Sequence, residues 1–530
     1  MHHRFAPVGL LLSCLGLLAW SAPPQPPKSP PNFIFIQAEA QGASSTSVDM
    51  DGQPPSNARP EGLTPNLEKL AKEGMRFSDF YASCPRCTPS RASWATGISP
   101  AKLHMTYQSE GGASRRDAEG GDAKSKYRLM KMIPPTPEVD LPAGVKTTGG
   151  MLHDLGYGTA HFGKWHAGRQ APSQVGFDLC DGANSNQGPE RGESPNPKQA
   201  TEITDKGIAF MREQVKKGKP FFVQISHYGF EGENAVSPES LAAAKKLVPD
   251  VSGKPMGAVA GAREVDTQIG RVLAALKEMG VADNTWIFYS ADHGAQGGGG
   301  GRSQPNPPFS GGKGSVCEGG IRVPFIVHGP GVKAGSVSRV RATGMDLLPT
   351  LMDLAGKPLP KPEHPDDRTV VEGGSLVPLL THGGEGKVDR SHEEIVIHFP
   401  HYDLNNGGPA SAIYLGDWKL VRNYESGKTS LYEIGKDPAE KHDMASQQPE
   451  RVKDMTTRLD AYLKAVKAAM PERNSDPAAG TGDPYDMPQP ADRGAAGGKG
   501  GGKGGGKGGG KGGGGKGGGN GGGNGGGNGQ

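Results

Sequence analysis

Short apolar runs alternate with one long amphipathic stretch through the middle of the chain. Residues 32–36, 221–225 and 286–290 are compact runs rich in apolar residues, a pattern typical of buried strands. Apolar residues recur at helical spacing from Val265 to Leu276, and Gly280 follows as a stop signal. Strand, helix and strand in this order predict a doubly wound α/β fold, with a mixed sheet flanked by helices. Active residues are then expected beyond the carboxyl ends of the strands.

Residues 64–74 carry the start and stop signals of a helix. Thr64 is a suitable N-cap, Pro65 suits the first turn, and Gly74 is a stop signal. The pattern therefore predicts a helix from Pro65 through Glu73.

Beyond residue 390 the pattern changes to closely spaced short strands, followed by a helix near residues 449–469. This predicts a smaller C-terminal antiparallel sheet packed by a helix. We therefore divide the body of the chain into a main catalytic domain at 32–390 and a C-terminal subdomain at 391–470. The strand candidates lie at 394–397, 412–415, 418–422 and 431–433.

The N-terminal end has the composition of an export signal. Residues 1–21 combine a basic start, an apolar run and small residues at a cleavage site, and residues 22–31 form a proline-rich lead-in. The apolar run is too short for a membrane span, and no other stretch is apolar enough. We therefore predict a secreted or periplasmic protein with no membrane span, with lipid anchoring at Cys14 left open.

The C-terminal end, residues 471–530, is a polar linker followed by a Gly/Lys/Asn-rich tail. It has almost no apolar groups to offset the entropy of ordering, so we expect it to be disordered. The five lysines of residues 494–530 contribute a charge of +5, whereas the whole chain has a net charge of +3. The rest of the chain therefore carries a small net negative charge. The basic balance therefore gives no support to nucleic-acid binding.

The strongest chemical signal is the run Cys87-Thr88-Pro89-Ser90-Arg91, followed by Thr96-Gly97. A thiol, a hydroxyl and a guanidinium on a rigid turn indicate an anion site with a reactive group, because arginine binds tetrahedral oxyanions through two parallel hydrogen bonds. The nearby Cys84 leaves a second interpretation open, in which it forms a redox or metal-binding pair with Cys87.

This run resembles the signature C-x-P-S-R-x-x-x-x-T-G of the type I, formylglycine-dependent sulfatases in the alkaline-phosphatase-like superfamily. The resemblance extends from about Pro31 to Pro471 and implies hydrolysis of sulfate esters, on a sulfated carbohydrate or an aryl sulfate. It also implies that a formylglycine-generating enzyme oxidises Cys87 to formylglycine, whose hydrate is the nucleophile. Further matching blocks lie at 64–67, 156–166, 311–314, 318–324, 346–350 and 416–420.

The resemblance assigns roles to the basic residues of these blocks. It implies that Arg91 and Lys164 stabilise the formylglycine and the bound sulfate. His166 matches the base that expels sulfate and restores the aldehyde. Lys313 matches the lysine that contacts both the sulfate and the leaving oxygen.

The expected metal shell departs from the family pattern. The family places two adjacent aspartates after the first strand, where this chain has Glu39 and Ala40. Glu39 can still donate oxygens, whereas Ala40 cannot bind a cation, and the sequence gives no sign that Asp49 or Asp51 compensates for it. The expected ligands of one cation, which is calcium in the family, are Glu39, Cys87, Asp292 and His293.

The leaving-group acid is the second departure. The family places a histidine about ten residues after Phe221-Phe222, where this chain has Glu231, with His227 four residues early and Phe230 one residue early. A buried, protonated glutamate at 231 can donate the proton instead. The nearby segment 294–312 is rich in Gly, Pro and Asn, and we expect it to be a mobile loop at the pocket mouth.

Three alternatives to sulfate-ester hydrolysis stay open. A phosphodiesterase or phosphonate hydrolase of the same superfamily uses similar anion chemistry. A degenerate sulfatase-like protein would bind sulfated glycans without turnover, as the two departures allow. A redox protein would use Cys84 and Cys87.

Overall fold

A computed structural model describes Met1 and residues 29–52, 59–108, 127–184, 198–230, 232–296, 305–364, 367–403 and 406–482. All of these residues belong to one compact unit that ends at Ala491. The described α-helices are α1 Pro65–Glu73, α2 Cys87–Thr96, α3 Pro100–Leu103, α4 Thr148–Asp154, α5 Ala200–Lys216, α6 Pro238–Leu247, α7 Gly253–Glu278, α8 Glu318–Ile321, α9 Leu347–Leu354, α10 Val377–Thr381 and α11 Pro449–Ala465.

The described strands form one large sheet, one small sheet and two short pairs. Short 3-10 turns lie at Pro172–Val175, Glu233–Ala235, Ala282–Asn284 and Gly344–Asp346. The strands are β1 Asn32–Ala38, β2 Met75–Phe77, β3 Phe80–Tyr81, β4 Met132–Ile133, β5 Gly158–Gly163, β6 Leu179–Cys180, β7 Phe221–Ser226, β8 Thr285–Ala291, β9 Phe325–His328, β10 Ser336–Ser338, β11 Ala342–Thr343, β12 Ile395–Phe399, β13 Ala410–Leu415, β14 Trp418–Asn423, β15 Thr429–Glu433 and β16 Glu472–Arg473.

The large sheet has the order β10-β2-β9-β8-β1-β7-β5-β6 and is mixed, as predicted. Its strands β8, β1, β7, β5 and β6 are parallel, whereas β9 runs antiparallel to β8 and β2. Every position of β1, β7 and β8 is buried, which explains why each of these strands is a compact run in the sequence rather than an alternating pattern. The three predicted strands are therefore confirmed.

Helices flank this sheet, and two of them differ in detail from the sequence pattern. Helix α1 has the predicted bounds, but the Thr64 side chain does not cap it. The carboxylate of Asp266, in α7, accepts hydrogen bonds from the Leu67 N–H at 2.8 Å and from the Asn66 side chain at 2.9 Å. Helix α7 itself begins at Gly253, twelve residues before the periodic apolar stretch.

The small sheet has the antiparallel order β12-β13-β14-β15, which confirms the predicted C-terminal sheet. Helix α11 packs on it through Leu459 and Leu463, which share an apolar cluster with Ile413 and Leu420 of the sheet. The domain boundary after residue 390 stays a prediction. Within the described residues, no helix combines the length and apolar character needed to cross a bilayer.

A buried ion cluster joins the small sheet to helix α8. The Lys419 ammonium, in β14, lies 3.1 Å from a Glu318 carboxylate oxygen and 2.8 Å from one of Glu440. Neither Lys419 nor Glu318 has any exposed side-chain surface. The Tyr81 hydroxyl donates to the second oxygen of Glu318 at 2.8 Å, so this carboxylate is held from several sides. Buried charges of this kind are tolerated only when each is paired.

Replacing Lys419 with methionine should lower the free energy of unfolding by about 3–5 kcal/mol, because it leaves buried carboxylates without their cation. Guanidinium titration of the wild type and the variant measures this change. Lys436→Met is the matched control, because Lys436 pairs with Glu433 in solvent, with 78% of its side chain exposed, and should change stability little. Equal stabilities of the wild type and Lys419→Met would contradict the prediction.

Candidate active site

Four charged or titratable side chains follow four neighbouring parallel strands. Glu39 follows β1, Lys164 follows β5, His227 follows β7 and Asp292 follows β8. The sheet order β8-β1-β7-β5 makes these strands neighbours, so their carboxyl ends share one edge. These side chains therefore lie at the edge where active residues are expected, and their roles stay predictions.

Helix α2 brings the cysteine to this edge. It begins at Cys87 and is buried at every position. The Ser90 hydroxyl donates to the backbone carbonyl of Asp292, which fixes the helix against the end of β8. Gly97 ends the helix in a left-handed conformation, with φ of +69°, which favours glycine. Ser90 and Gly97 of the sequence motif therefore each have a structural role in positioning and ending helix α2.

The Arg91 guanidinium connects α2 to the ends of three strands. Its Nε donates to Asp292 Oδ2 and its Nη2 to Glu39 Oε2, both at 2.9 Å. Its Nη1 donates to Gln37 Oε1 at 3.0 Å and to the Lys164 carbonyl at 2.7 Å. The resemblance assigns Arg91 to the formylglycine and the sulfate, but these hydrogen bonds give it a positioning task within the protein. Gln37 was missed in the sequence, where an amide inside an apolar strand was its only signal.

The Glu39 carboxylate is surrounded by three cationic side chains, those of Arg91, Lys164 and Lys313. The Lys164 ammonium is 2.7 Å from its Oε2, and the Lys313 ammonium is 3.7 Å from its Oε1. Burial acts to raise the pKa of Glu39. The charge of Lys164, a hydrogen bond with Asp292, and the charges of Lys313 and Arg91 outweigh burial and hold this pKa well below its usual range. A Cβ at Gly229 would lie 2.8 Å from Glu39 Cγ, so the glycine leaves room for this side chain.

The Cys87 sulfur contacts an acid and an imidazole. It lies 3.3 Å from Glu39 Oε1 and 3.2 Å from His293 Nε2. Burial and the Glu39 charge act to raise the pKa of the Cys87 thiol. The positive charges of Lys164, Lys313 and His293 outweigh both effects and lower this pKa to about 6. A thiolate is therefore the stable form of this side chain at neutral pH.

Cys84 has a different environment from Cys87. It is fully buried, and burial raises the pKa of its thiol far above the usual range. Cys84 and Cys87 are not joined by a disulfide in the structure. The free cysteines of the described residues are Cys84, Cys87, Cys180 and Cys317.

His166 and Glu231 are the remaining predicted catalytic residues. His166 is buried in the turn after β5, with φ of +48°, and its backbone N–H donates to the Asn184 carbonyl at 3.0 Å. Glu231 lies outside the described residues, so its role stays a prediction. His227 is buried, and burial lowers its pKa to about 4. Its backbone N–H donates to the Gln37 carbonyl at 2.9 Å, which places it beside β1.

Two nearby segments have other contacts. Asp51, which could compensate for Ala40, pairs instead with Arg339 at the surface. In the 294–312 segment, residues 294–296 and 305–312 are described, and Asn306 fixes the second part to the segment that follows β1. The side chain of Asn306 is buried and accepts a hydrogen bond from the Ser44 N–H at 3.0 Å. Residues 297–304 of this segment lie outside the described part of the chain.

Comparison with known families agrees with this arrangement. Residues 31–357 match the family described as Sulfatase, a span of more than half of the chain. The chain belongs to the sulfatase family. Residues 312–469 also match the family described as N-sulphoglucosamine sulphohydrolase, C-terminal. This sulfatase is therefore a sulfuric ester hydrolase.

Curated relatives match over most of their length. The N-acetylgalactosamine-6-sulfatase of Mus musculus is 30% identical over 412 residues, which cover 71% of this chain and 70% of the relative. The arylsulfatase A of Homo sapiens is 28% identical over 438 residues, which cover 75% of this chain and 74% of the relative.

Solved structures share the fold of this sulfatase. Ps i-CgsB, solved with k-i-k-neocarrahexaose, matches with a TM-score of 0.62 and 23% identity, over 85% of this chain and 95% of that one. A protein solved with its substrate D-glucosamine-2-N,6-O-disulfate matches with a TM-score of 0.57 and 20% identity, over 85% and 99% of the two chains. At these identities the likeness supports the fold alone.

The sulfatase family implies a metal ion, and the chain has a group of side chains that can hold one. Calcium, however, takes six to eight oxygen ligands. Of the carboxylate oxygens near Cys87, Glu39 Oε2 already pairs with Arg91 and Lys164, and both oxygens of Asp292 accept hydrogen bonds, from Arg91 and from the Ala40 N–H. The four side chains supply fewer oxygens than a full calcium shell needs, so water or substrate oxygens would have to complete it, and calcium stays a prediction of the resemblance. The candidate metal ligands are Glu39, Cys87, Asp292 and His293.

In the unmodified, chelator-treated sulfatase, one thiol should ionise with a midpoint near pH 6. The reason is that Lys164, Lys313 and His293 favour the Cys87 thiolate, with a pKa of about 6. Ultraviolet absorbance of the thiolate measures the titration. Cys87→Ser should remove this transition and Cys84→Ser should leave it, because burial raises the pKa of Cys84. A first thiolate transition only at the ordinary thiol pKa, about 8.5, would refute the assignment.

Proposed function

We propose that this sulfatase hydrolyses sulfate esters of sulfated glycans, with formylglycine made from Cys87 as its nucleophile. The observation that carries the proposal is the position of Cys87 at the start of α2, in contact with Glu39 and with the ammonium groups of Lys164 and Lys313 close by. A nucleophile beside a set of buried cations suits attack on an anionic ester, because the cations offset charge that develops on the sulfate oxygens.

The substrate class follows from the relatives. Curated relatives include sulfatases named for N-acetylgalactosamine 6-sulfate, and one structural neighbour was solved with a disulfated glucosamine as its substrate. We therefore place this chain's substrate among sulfated carbohydrates, with aryl sulfates as convenient small test substrates. Conversion of Cys87 by a formylglycine-generating enzyme and export through residues 1–21 belong to the same proposal. Residues 2–28 lie outside the described part of the chain.

The mechanism divides between the modified residue and its neighbours. When present, the hydrate of formylglycine supplies a nucleophile for sulfur. Lys164 and Lys313 neutralise the sulfate oxygens, for which they must exchange part of their contact with Glu39. His293, whose Nε2 is 3.2 Å from the residue-87 sulfur, can hold a proton at that position. Arg91 keeps the ends of three strands in register around them.

The remaining proton transfers follow from the resemblance. His166 acts as the base that releases sulfate and restores the aldehyde. Glu231, in its protonated form, donates a proton to the departing alkoxide. His227 is the less suitable donor, because its ring is buried at the end of β7 and burial lowers its pKa to about 4, which leaves the imidazole neutral at neutral pH.

Binding without turnover is the second candidate function, and one observation favours it. The lysines assigned to sulfate already contact the Glu39 carboxylate, the nearer at 2.7 Å. An anion within the site competes with a sulfate for the same cations, and it weakens the stabilisation of the transition state if it stays in place.

Replacing Lys313 with alanine should lower kcat for an aryl sulfate by about 10²-fold or more, because it removes a charge that stabilises the transition state. Cys87→Ala should abolish turnover with an unchanged fold. The experiment uses protein co-expressed with a formylglycine-generating enzyme, with conversion of Cys87 checked by the mass of its peptide. Lys277→Ala, an exposed lysine on α7, is the matched control and should retain full activity.

The same protein separates the candidate functions. Wild-type turnover in Cys87→Ala would refute the nucleophile. Fully converted protein that binds a sulfated glycan but releases no sulfate would favour the binding function. Turnover of a phosphodiester in preference to the sulfate ester would favour the phosphodiesterase alternative.

A further inference from the structure

A loop of the small C-terminal sheet reaches the turn that precedes the nucleophile. Asp403 lies between β12 and β13, and Arg86 directly precedes Cys87 at the start of α2. The Arg86 Nε donates to Asp403 Oδ2 at 2.7 Å, and its Nη2 donates to the same oxygen. We propose that Asp403 is a positioning residue, which fixes Lys313 relative to residue 87. The consequence for catalysis rests on the proposed sulfate-ester hydrolysis.

The pair of Arg86 and Asp403 is almost completely shielded from solvent. Only 10% of the Arg86 side chain and 1% of the Asp403 side chain are exposed. The Arg86 guanidinium also lies over the ring of Tyr107, with its Cζ 5.8 Å from the ring centroid, which is a favourable contact for a cation. Separating the buried pair would leave each charge without its partner, so the pair holds its two segments together. The turn before Cys87 is thus held to a loop 317 residues away in the chain.

The other oxygen of Asp403 packs against the residue that follows Lys313. A Cβ at Gly314 would overlap Asp403 Oδ1, so glycine leaves the room that this contact needs. Gly314 also has a φ of +87°, in the left-handed region that favours glycine. One carboxylate therefore contacts the turn before Cys87 through Oδ2 and the turn after Lys313 through Oδ1.

Backbone hydrogen bonds connect the same three segments. The Gly314 N–H donates to the Pro85 carbonyl at 2.9 Å. The Val316 N–H donates to Asn406 Oδ1 at 3.2 Å, and the Asn406 N–H donates to the Asp403 carbonyl at 3.1 Å. The loop after β12 therefore holds the segment after the lysine at two points, and that segment is joined directly to the turn before the nucleophile.

This arrangement matters because the Lys313 side chain is long and flexible. Its ammonium lies 3.7 Å from Glu39 Oε1, and the same oxygen lies 3.3 Å from the Cys87 sulfur. A misplacement of about 1 Å in an active site costs up to about 10²-fold in rate, so the backbone that carries the lysine must be fixed. Asp403 acts through Arg86 and Gly314, and the small sheet thereby contributes to catalysis by position.

Hydrogen exchange tests the positioning without any need for turnover. Asp403→Asn removes the charge and keeps the shape of the side chain, so Arg86 loses its ionic partner. Exchange at the backbone amides of residues 313–316, measured by mass spectrometry, should become at least ~10-fold faster, whereas the amides of β1 should keep their rates. Unchanged rates at 313–316 in the folded variant would overturn the proposal. Equal acceleration at β1 would also overturn it, because it would show a general loss of stability.

A double-mutant cycle tests the link to Lys313 in protein converted to formylglycine. Asp403→Asn should lower kcat for an aryl sulfate by about 10-fold or more. In Lys313→Ala protein the same substitution should change kcat by less than about twofold, because the side chain that Asp403 positions is absent. Equal losses in the two backgrounds would overturn the proposal. Asp460→Asn is the matched control, because Asp460 is 57% exposed and pairs with Arg422 of the same sheet, and it should leave exchange and kcat unchanged.

A second variant covers the case in which Asp403→Asn does not fold, as judged by circular dichroism. Arg86→Gln combined with Asp403→Asn removes both buried charges and takes its place in both measurements, with the same expected and contradicting results. Converted wild type that releases no sulfate would refute the proposed function. The exchange rates at 313–316 would then still decide whether Asp403 holds the segment that carries Lys313.

Discussion

The buried guanidinium of Arg91 is the constraint on which the site depends. It connects helix α2 to β1, to the carboxylates that follow β1 and β8, and to the carbonyl that follows β5. A single planar group with donors on several edges can do this, whereas a lysine ammonium cannot reproduce the fork. Without it, Glu39 and Asp292 would lose their shared cation in a site with almost no solvent. The position of the nucleophile is therefore set by the same contact that makes burial of the carboxylates tolerable.

The C-terminal sheet extends this constraint beyond the active site. Lys419 of β14 fixes Glu318 at the start of α8, and the Gly320 carbonyl of α8 accepts a hydrogen bond from the Gly294 N–H at 2.9 Å. Gly294 directly follows His293, so a continuous set of contacts runs from the small sheet to the imidazole beside residue 87. A sheet with no side chain in the reacting group thus contributes to the geometry of the site.

The sequence predicted the elements whose signal is local. Parallel strands buried on both faces are compact apolar runs, which local sequence reveals. The resemblance of the separate motifs to one family predicted that Cys87, Arg91, Lys164 and Lys313 lie in one site. It did not predict contacts between distant segments. Asp266 caps a helix 200 residues earlier, and no local pattern identifies such a partner.

The contacts of Glu39 were beyond sequence reasoning for a related reason. Residue type predicts a metal ligand at this position, but which cations a buried carboxylate meets depends on side-chain lengths across several strands. Asn306 shows the same limit, because composition does not reveal that its buried amide oxygen accepts a hydrogen bond from the Ser44 N–H.

The close approach of Gly229 to Glu39 has a consequence for how the chain can evolve. The backbone at Gly229 is not left-handed, so only the side chain of Glu39, 2.8 Å from a hypothetical Cβ, opposes a larger residue there. Alanine at 229 would press on Glu39 Cγ, an atom that aspartate also has, while Arg91 and Lys164 hold the carboxylate of residue 39 in place. The residue type at 229 therefore depends on the side-chain conformation of residue 39, and the two positions cannot vary independently.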